Sequence, residues 1–464
     1  MSINEKMTAI ANPLRTLTNR KDLLTLDEMA KAGNDAVLKV EDQAELIALL
    51  EQLLEDKALS GTEAEDRLFM RELTTYSNDR VTRTGKYALS FCEPLTEANF
   101  PNVTTVAEGT FAFCKNLKTL TFPKLTTIDM GGFSDCGIEE ANFPLVETIG
   151  ENAFAICLNL KTANLPSLVE MGDSAFASCI ALETVNLPLV QNIGAYAFQG
   201  CDSLKSVVFP EVKVVGSQAF RSCESLVSVN LPKAQTVGEY AFYMEEPLIE
   251  VLLPEATEIG PYAFYKCTNL SEVILSSVET IGEYAFCYCR HISDLHLPEC
   301  VDIGKFAFSS CDGVTGALSL PKVTNIGESA FSSCEGLTFV SLPKVKNISR
   351  YAFRYCNNLS EIELPVAETL GYQAFDDTCL KKVDLPAVTS MDSWVFQDSG
   401  LETLILRSGT VCSVTDDYNF LGAEPYIYVP SALVDAYKND SNWSYYADKI
   451  RAIEDYPEIT GGAS

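Results

Sequence analysis

Residues 179–201 read Cys179-Ile-Ala-Leu-Glu-Thr-Val-Asn-Leu-Pro-Leu-Val-Gln-Asn-Ile-Gly-Ala-Tyr-Ala-Phe-Gln-Gly-Cys201, and Cys201 opens the same phrase again. The pattern C-x-x-L-x-x-V-x-L-P-x-V-x-x-I-G-x-x-A-F-x-x is a unit of 22 residues. Working outward, its phenylalanine column runs Phe111, Phe133, Phe154, Phe176, Phe198, Phe220, Phe242, Phe264, Phe286, Phe308, Phe331, Phe353, Phe375 and Phe396, with Leu89 in that place at the start. Three residues after this column stand twelve cysteines, from Cys92 to Cys356, replaced by Glu245, Thr378 and Ser399. The steps from Phe133 to Phe154 and from Phe375 to Phe396 are 21 residues, and that from Phe308 to Phe331 is 23, where Gly313 and Gly316 accommodate the extra residue near Ala317.

A unit this short cannot enclose a core, so the units must stack and bury their Leu, Val, Ile and Phe columns against one another. The expected fold is an α/β repeat solenoid of about fifteen 22-residue coils. Within a unit, L-x-x-V-x-L alternates as a short strand does, and the following Pro ends it by lacking an amide donor. The stacked strands are expected to form one long parallel sheet, with the Gly of I-G permitting the chain to turn back.

The L-P, I-G-x-x-A-F and C-x-x-L elements resemble the BspA-like leucine-rich repeat family, although here the step from L-P to I-G is one residue shorter than that family's usual form. The resemblance implies recognition and not catalysis, since members are mostly bacterial surface or secreted proteins that bind proteins, host matrix or other cells. The array is framed by a segment 1–38, a region 39–85 and a C-terminal cap over 407–464, leaving 86–406 to the solenoid. Three capping boxes, Ser2 with Glu5, Thr25 with Glu28 and Thr62 with Glu65, mark helix starts before it. The stretch Glu41 to Lys57 carries Leu46, Ile47, Leu49, Leu50, Leu53 and Leu54, an amphipathic helix that caps the first coil or meets a partner. At the other end Ser431 is placed to cap a helix whose Leu433, Val434 and Tyr437 close the last coil, and Gly461 to Ser464 reads as a frayed end.

Two terminal phrases carry a second resemblance. Lys6-Met-Thr-Ala-Ile-Ala11, Leu14-Arg-Thr and Lys21-Asp-Leu-Leu-Thr-Leu-Asp-Glu-Met-Ala30 are similar to the opening of tail-associated proteins from phages and prophages of Gram-positive bacteria. Tyr426-Ile-Tyr-Val-Pro-Ser-Ala-Leu-Val-Asp-Ala-Tyr437, with Asn442-Trp443-Ser444, is similar to the ending of the same kind of repeat protein. This resemblance implies a host-binding component of a virion that docks to other tail proteins through 1–38. A bacterial surface or exported adhesin and an intracellular interaction scaffold stand as alternatives, and an enzyme ranks last.

Composition excludes some partners. With 34 Lys and Arg against 64 Asp and Glu the net charge is −30, spread over the whole chain, and such a surface repels nucleic acid and anionic lipid. Neither a secretory signal nor an uninterrupted apolar run long enough for a membrane span is legible. The two histidines, His291 and His296, lie near Cys287, Cys289 and Cys300, but Cys289 belongs to the repeated column and no paired C-x-x-C zinc spacing occurs. No phosphate loop, H-E-x-x-H or G-x-S-x-G is present, so no catalytic residue, metal or cofactor is expected. Cysteines stacked one coil apart do not meet disulfide geometry, and free buried thiols are the expectation.

Specificity in a strict repeat lives in its variable positions. Strand positions facing outward hold an asparagine row (Asn99, Asn142, Asn164, Asn186, Asn230), turn apolar at Val208, Leu252 and Ile274, and continue through His296 to Glu363 and Asp384. Two residues before Phe stand Tyr196, Tyr240, Tyr262, Tyr284, Phe306, Tyr351 and Trp394, with Tyr243, Tyr265 and Tyr288 just beyond it. These aromatics either shield one side of the array or form a binding surface for a cell-surface protein or glycan, because tyrosine offers a rigid apolar ring with a polar tip. The ligand-contacting set expected on this basis is Tyr240, Tyr243, Leu252, Tyr262, Tyr265, Ile274, Tyr284, Tyr288, His296 and Phe306.

Overall fold

The computed structural model describes residues 74–415 and 421–460. The expected helices before residue 74 and the terminal Gly461 to Ser464 lie outside the described residues. The described residues form parallel β-solenoid coils of about 22 residues, about 17 in all, two more than the phenylalanine column counts. The surplus lies at the ends. Thr75–Ser77 pairs in parallel with Glu97–Asn99, and Tyr426–Val429 pairs with Thr403 to Ile405 on one side and with Ile450–Ala452 on the other.

The contacts divide the chain at residue 205 into two units. In residues 74–205 the strands Thr75–Ser77, Glu97–Asn99 and Thr119–Thr121 form one parallel ladder, and Glu140–Asn142, Thr162–Asn164 and Thr184–Asn186 another. In residues 206–460 the equivalent strands run from Ser206–Val208 to Glu272–Ile274 and resume at Gly316–Ser319.

The single sheet expected from the sequence is corrected by a second ladder. The V-x-x-I step forms its own two-residue strand in each coil, and these pair in parallel from Val214–Val215 through Ser413–Val414. Pairing in register requires only that Val237, Ile259 and Ile281 bury the same face, as they do. The extra residue near Ala317 is accommodated at a register shift between Gly316 and Ala317, a bulge in which Gly316 takes φ +78°.

A third set of main-chain bonds closes each coil. In Tyr240 to Glu245, the amides of Tyr240, Phe242 and Met244 donate to the carbonyls of Pro261, Ala263 and Tyr265 in the next coil, at 2.8–3.0 Å. The intervening amides close tight turns within the coil. This alternation places Tyr240 at φ +56° and Met244 at φ +62°, and the same two positions are left-handed in coil after coil. The glycine of I-G therefore has a different role from the one expected of it. It is not the left-handed residue; a Cβ on Gly260 would lie 2.8 Å from the backbone of Glu239, Gly238 and Val237, so glycine is there to let adjacent coils approach.

The core is a stack of like on like. From Phe220 to Phe396 successive rings lie 5.0–5.7 Å apart and nearly parallel. No disulfide joins the sixteen cysteines, and all but the exposed Cys379 are buried. The column cysteines are hydrogen-bond donors: Cys289 Sγ donates to the Phe264 carbonyl one coil earlier, and Cys311 and Cys334 repeat the contact on Phe286 and Phe308. Where the column changes, Thr378 and Ser399 donate instead to the carbonyls of their own coil's Phe375 and Phe396.

The last coil is closed by Trp443, Tyr437 and Tyr446, all fully buried. Trp443 Nε1 donates to the Cys412 carbonyl at 2.8 Å, and Tyr437 Oη accepts the Cys412 amide at 2.9 Å. Ser431 does not cap the helix as expected. A 3-10 turn, Ser431–Leu433, precedes the helix Val434–Asn439, and the Ser431 amide donates to the Glu454 carboxylate at 2.9 Å, so Glu454 is the group that satisfies this end.

Candidate functional site

The variable positions fall into two groups on different segments of the coil, and the contacts of each run along its own column. On the strand segment, the expected polar and apolar rows are both present. In residues 74–205, Asn164 donates its side-chain amide to Asn142 at 2.8 Å and Asn186 to Asn164 at 2.7 Å, an amide ladder fixed by strand register. In residues 206–460, Asn230, Leu252 and Ile274 are in register on adjacent strands, with Val208 next to Asn230. Val208 is 62% exposed and Ile274 43%, so these apolar side chains stand in solvent.

His296 departs from the expected row. Residues 293–298 form no strand, and the first ladder is broken between Glu272–Ile274 and Gly316–Ser319. His296 is exposed but outside the sheet, and His291 Nδ1 sits 2.6 Å from the Thr268 carbonyl oxygen.

On the A-F segment the structure brings the expected aromatics together. Tyr240, Tyr262, Tyr284 and Phe306 occupy left-handed positions in successive coils and stack at 4.9, 4.8 and 4.6 Å with interplanar angles of 10°, 14° and 6°. Tyr243 and Tyr265 stack beside them at 5.3 Å, and Tyr288 meets Tyr265 edge-on at 5.8 Å. Arg221 lies over the Tyr243 ring and Lys266 over those of Tyr265 and Tyr288.

This geometry changes what the ladder offers a ligand. Ring faces inside the stack are covered by neighbouring rings, so a partner meets ring edges and phenolic hydroxyls at the one-coil spacing. Burial keeps the Tyr262, Tyr265 and Tyr284 phenols above their ordinary 10.0, with Glu283 adding to the effect on Tyr262 and Tyr284 and Cys287 on Tyr265. They are neutral donors at physiological pH. Burial also pushes the Cys287 thiol up to about 12, which leaves almost no thiolate beside them. Among the described residues no three His, Cys, Asp or Glu side chains converge as metal ligands, and no helix is long and apolar enough to cross a membrane.

Sequence reasoning missed the left-handed backbone that carries this ladder. A signal was present: Gly109, Gly131, Asn152 and Ser174 fill the position two before Phe, and Gly200 the position two after it. Glycine, asparagine and serine scattered through aromatic columns mark a backbone requirement shared by every coil.

Comparison with known proteins agrees with the repeat. No curated protein matches the chain. Among solved structures, the chain is similar to a leucine-rich repeat protein from Bacteroides ovatus, with 21% identity over 82% of this chain and 84% of that one and a TM-score of 0.39. It is also similar to a leucine rich cell surface protein from Faecalibacterium prausnitzii, with 22% identity over 64% and 81% and a TM-score of 0.33. The pneumococcal vaccine antigen PcpA is similar at 17% identity over 77% and 83%, with a TM-score of 0.38. The model for the BspA type leucine rich repeat region matches residues 82–205, 191–315 and 279–403, while both phrases likened to phage tail proteins lie outside these spans. With more than two thirds of its length so matched, this chain belongs to the BspA-type leucine-rich repeat family.

Proposed function

We propose that the protein is a non-catalytic recognition protein that binds a cell-surface protein or glycan through the outward residues of its solenoid. The observation that carries the reading is the aromatic ladder from Tyr240 to Phe306, in which left-handed backbone and ring stacking hold hydroxyl-bearing side chains in fixed order on a coil surface. Rigid Tyr side chains lose little entropy on binding, which is why they recur in recognition surfaces. Tyr240, Tyr243, Tyr262, Tyr265, Tyr284, Tyr288 and Phe306 form this contact set, and Leu252 and Ile274 form a second one on the strand segment.

The N-terminal phrases from Lys6 to Ala30 favour a phage or prophage tail-associated protein over a bacterial adhesin. In this reading the region before the solenoid attaches to the particle and the solenoid faces the host cell. Two measurements test it. Labelled full-length protein is expected to bind a subset of Gram-positive cells in a saturable way, and binding to none of a broad panel contradicts recognition. Mass spectrometry of induced phage particles and of washed cell envelopes is expected to find the protein in the particles; recovery from the envelopes alone selects the adhesin.

A further inference from the structure

The aromatic column changes character in its last coils. Between Tyr240 and Phe306 each ring lies flat on the next, but Tyr351 meets Tyr372 at 88° and Tyr372 meets Trp394 at 42°, with centroids 5.5 and 5.8 Å apart. The cause lies in the sequence. In Gly371-Tyr-Gln-Ala-Phe375 the aromatic residue stands three before Phe instead of two, and Gln373 takes the left-handed position at φ +50°. The displaced Tyr372 is therefore tilted against Trp394 and does not cover it. Trp394 is 44% exposed, a large apolar surface to leave in water.

Polar groups are fixed in the same coil and in the coils before it. Gln373, itself buried, donates its Nε2 to Gln397 Oε1 at 2.9 Å, and Gln397 follows Trp394 in the same tight turn, its amide on the Trp394 carbonyl at 3.1 Å. Two coils before Trp394, Arg354 Nε donates to the buried Asp376 of the intervening coil at 2.8 Å while its guanidinium lies 4.3 Å from the Tyr355 ring centroid. Gln397 Nε2 also donates to Asp398 at 3.4 Å, which leaves its second N–H, and the outer N–H groups of Arg354, as hydrogen-bonding capacity beyond these contacts.

We propose that Trp394, Tyr372 and Gln397, with Arg354 at the margin, form a carbohydrate-binding subsite for an uncharged hexose or N-acetylhexosamine of a cell-surface polysaccharide. A pyranose has an apolar face of C–H groups and a rim of hydroxyls. The face matches an uncovered indole, and the rim matches a pre-ordered carboxamide, so both halves of the sugar find a partner without rearrangement. An uncharged sugar follows from the chain's net charge of −30 and from Asp392 and Asp398, which flank Trp394 in sequence. The subsite rests on the recognition reading but uses different residues from the Tyr240 to Phe306 ladder.

The two tryptophans make the test direct, because Trp443 is fully buried and Trp394 is the one open to a soluble quencher. Full-length protein is titrated with cellohexaose, maltohexaose, mannohexaose and chitohexaose while acrylamide quenching is followed. The expected result is saturable protection by at least one of them, lost in Trp394→Ala at an unchanged melting temperature, and affinity at least about tenfold weaker by calorimetry in that variant. Gln397→Ala, which leaves the indole in place, is expected to weaken the same sugar. Absence of protection by all four at millimolar concentration, or undiminished calorimetric binding in Trp394→Ala, overturns the subsite. If the wild type binds cells in the same experiment, that failure leaves the recognition reading standing.

Discussion

The thiol of Cys289 donates to the main-chain carbonyl of Phe264, one coil earlier, at 3.0 Å, and that carbonyl also accepts the amide of Cys267 at 3.1 Å. One atom thus ties two coils together, and its second lone pair is served by a side chain. This explains why cysteine recurs in a column that disulfides do not use. A small apolar side chain with a weak donor fits a site that is buried yet contains a carbonyl.

Cys289→Ala is expected to lower stability by about 1–3 kcal/mol, from the lost hydrogen bond and the cavity left by sulfur. Urea unfolding followed by circular dichroism checks this, and an unchanged midpoint would mean that the thiol only fills space.

Glu245 occupies the same column and is only 1% exposed. Burying an ionisable carboxyl where other coils bury a thiol is costly, so Glu245→Cys is expected to raise stability by about 1–3 kcal/mol. A rise in melting temperature confirms it; a fall shows that the carboxyl is needed in place.

Burial pushes the thiols of Cys157, Cys300, Cys356 and Cys412 from 9.0 up to about 12. A raised folded-state value favours the protonated form, so its contribution is complete below pH 9 and is lost as pH rises from about 9 to 12. Alkaline unfolding in that window, with reactivity of these four buried thiols appearing together with the loss of circular dichroism in a Cys379→Ser background that removes the exposed thiol, is the expected behaviour. Thiolate formation at any of the four near pH 9 in an intact fold would contradict it.

Gly260 and Gly316 separate two uses of glycine. Gly260→Ala sets a Cβ against backbone atoms 2.8 Å away and is expected to cost about 1–3 kcal/mol through coil separation. Gly316→Ala meets nothing within 4 Å and carries only the strain of φ +78°, about 1–2 kcal/mol. Paired melts of the two variants, with crystal spacing of coils as the structural readout, distinguish crowding from strain.

Period and composition revealed the solenoid, the parallel strand of L-x-x-V-x-L and the extra residue near Ala317, because each follows from spacing alone. They did not reveal the second ladder, since a two-residue strand at V-x-x-I has no alternation to detect. Nor did they reveal the left-handed turns at Tyr240 and Met244, because those conformations are held by bonds to the next coil and not by local preference. The aromatic ladder was legible as a column. Its covered ring faces were not, because stacking depends on the spacing between coils, and neither was the tilt at Tyr372, which follows from a one-residue displacement.

The central claim is that the edges and hydroxyls of the tyrosine ladder bind a cell-surface ligand. Its most direct test compares binding of labelled wild-type protein and of Tyr262→Phe/Tyr265→Phe/Tyr284→Phe to the same Gram-positive cells. These substitutions keep the stacked rings and remove only the hydroxyls. The expected result is at least about a tenfold loss of cell binding with an unchanged melting curve; equal binding by both proteins would contradict the claim.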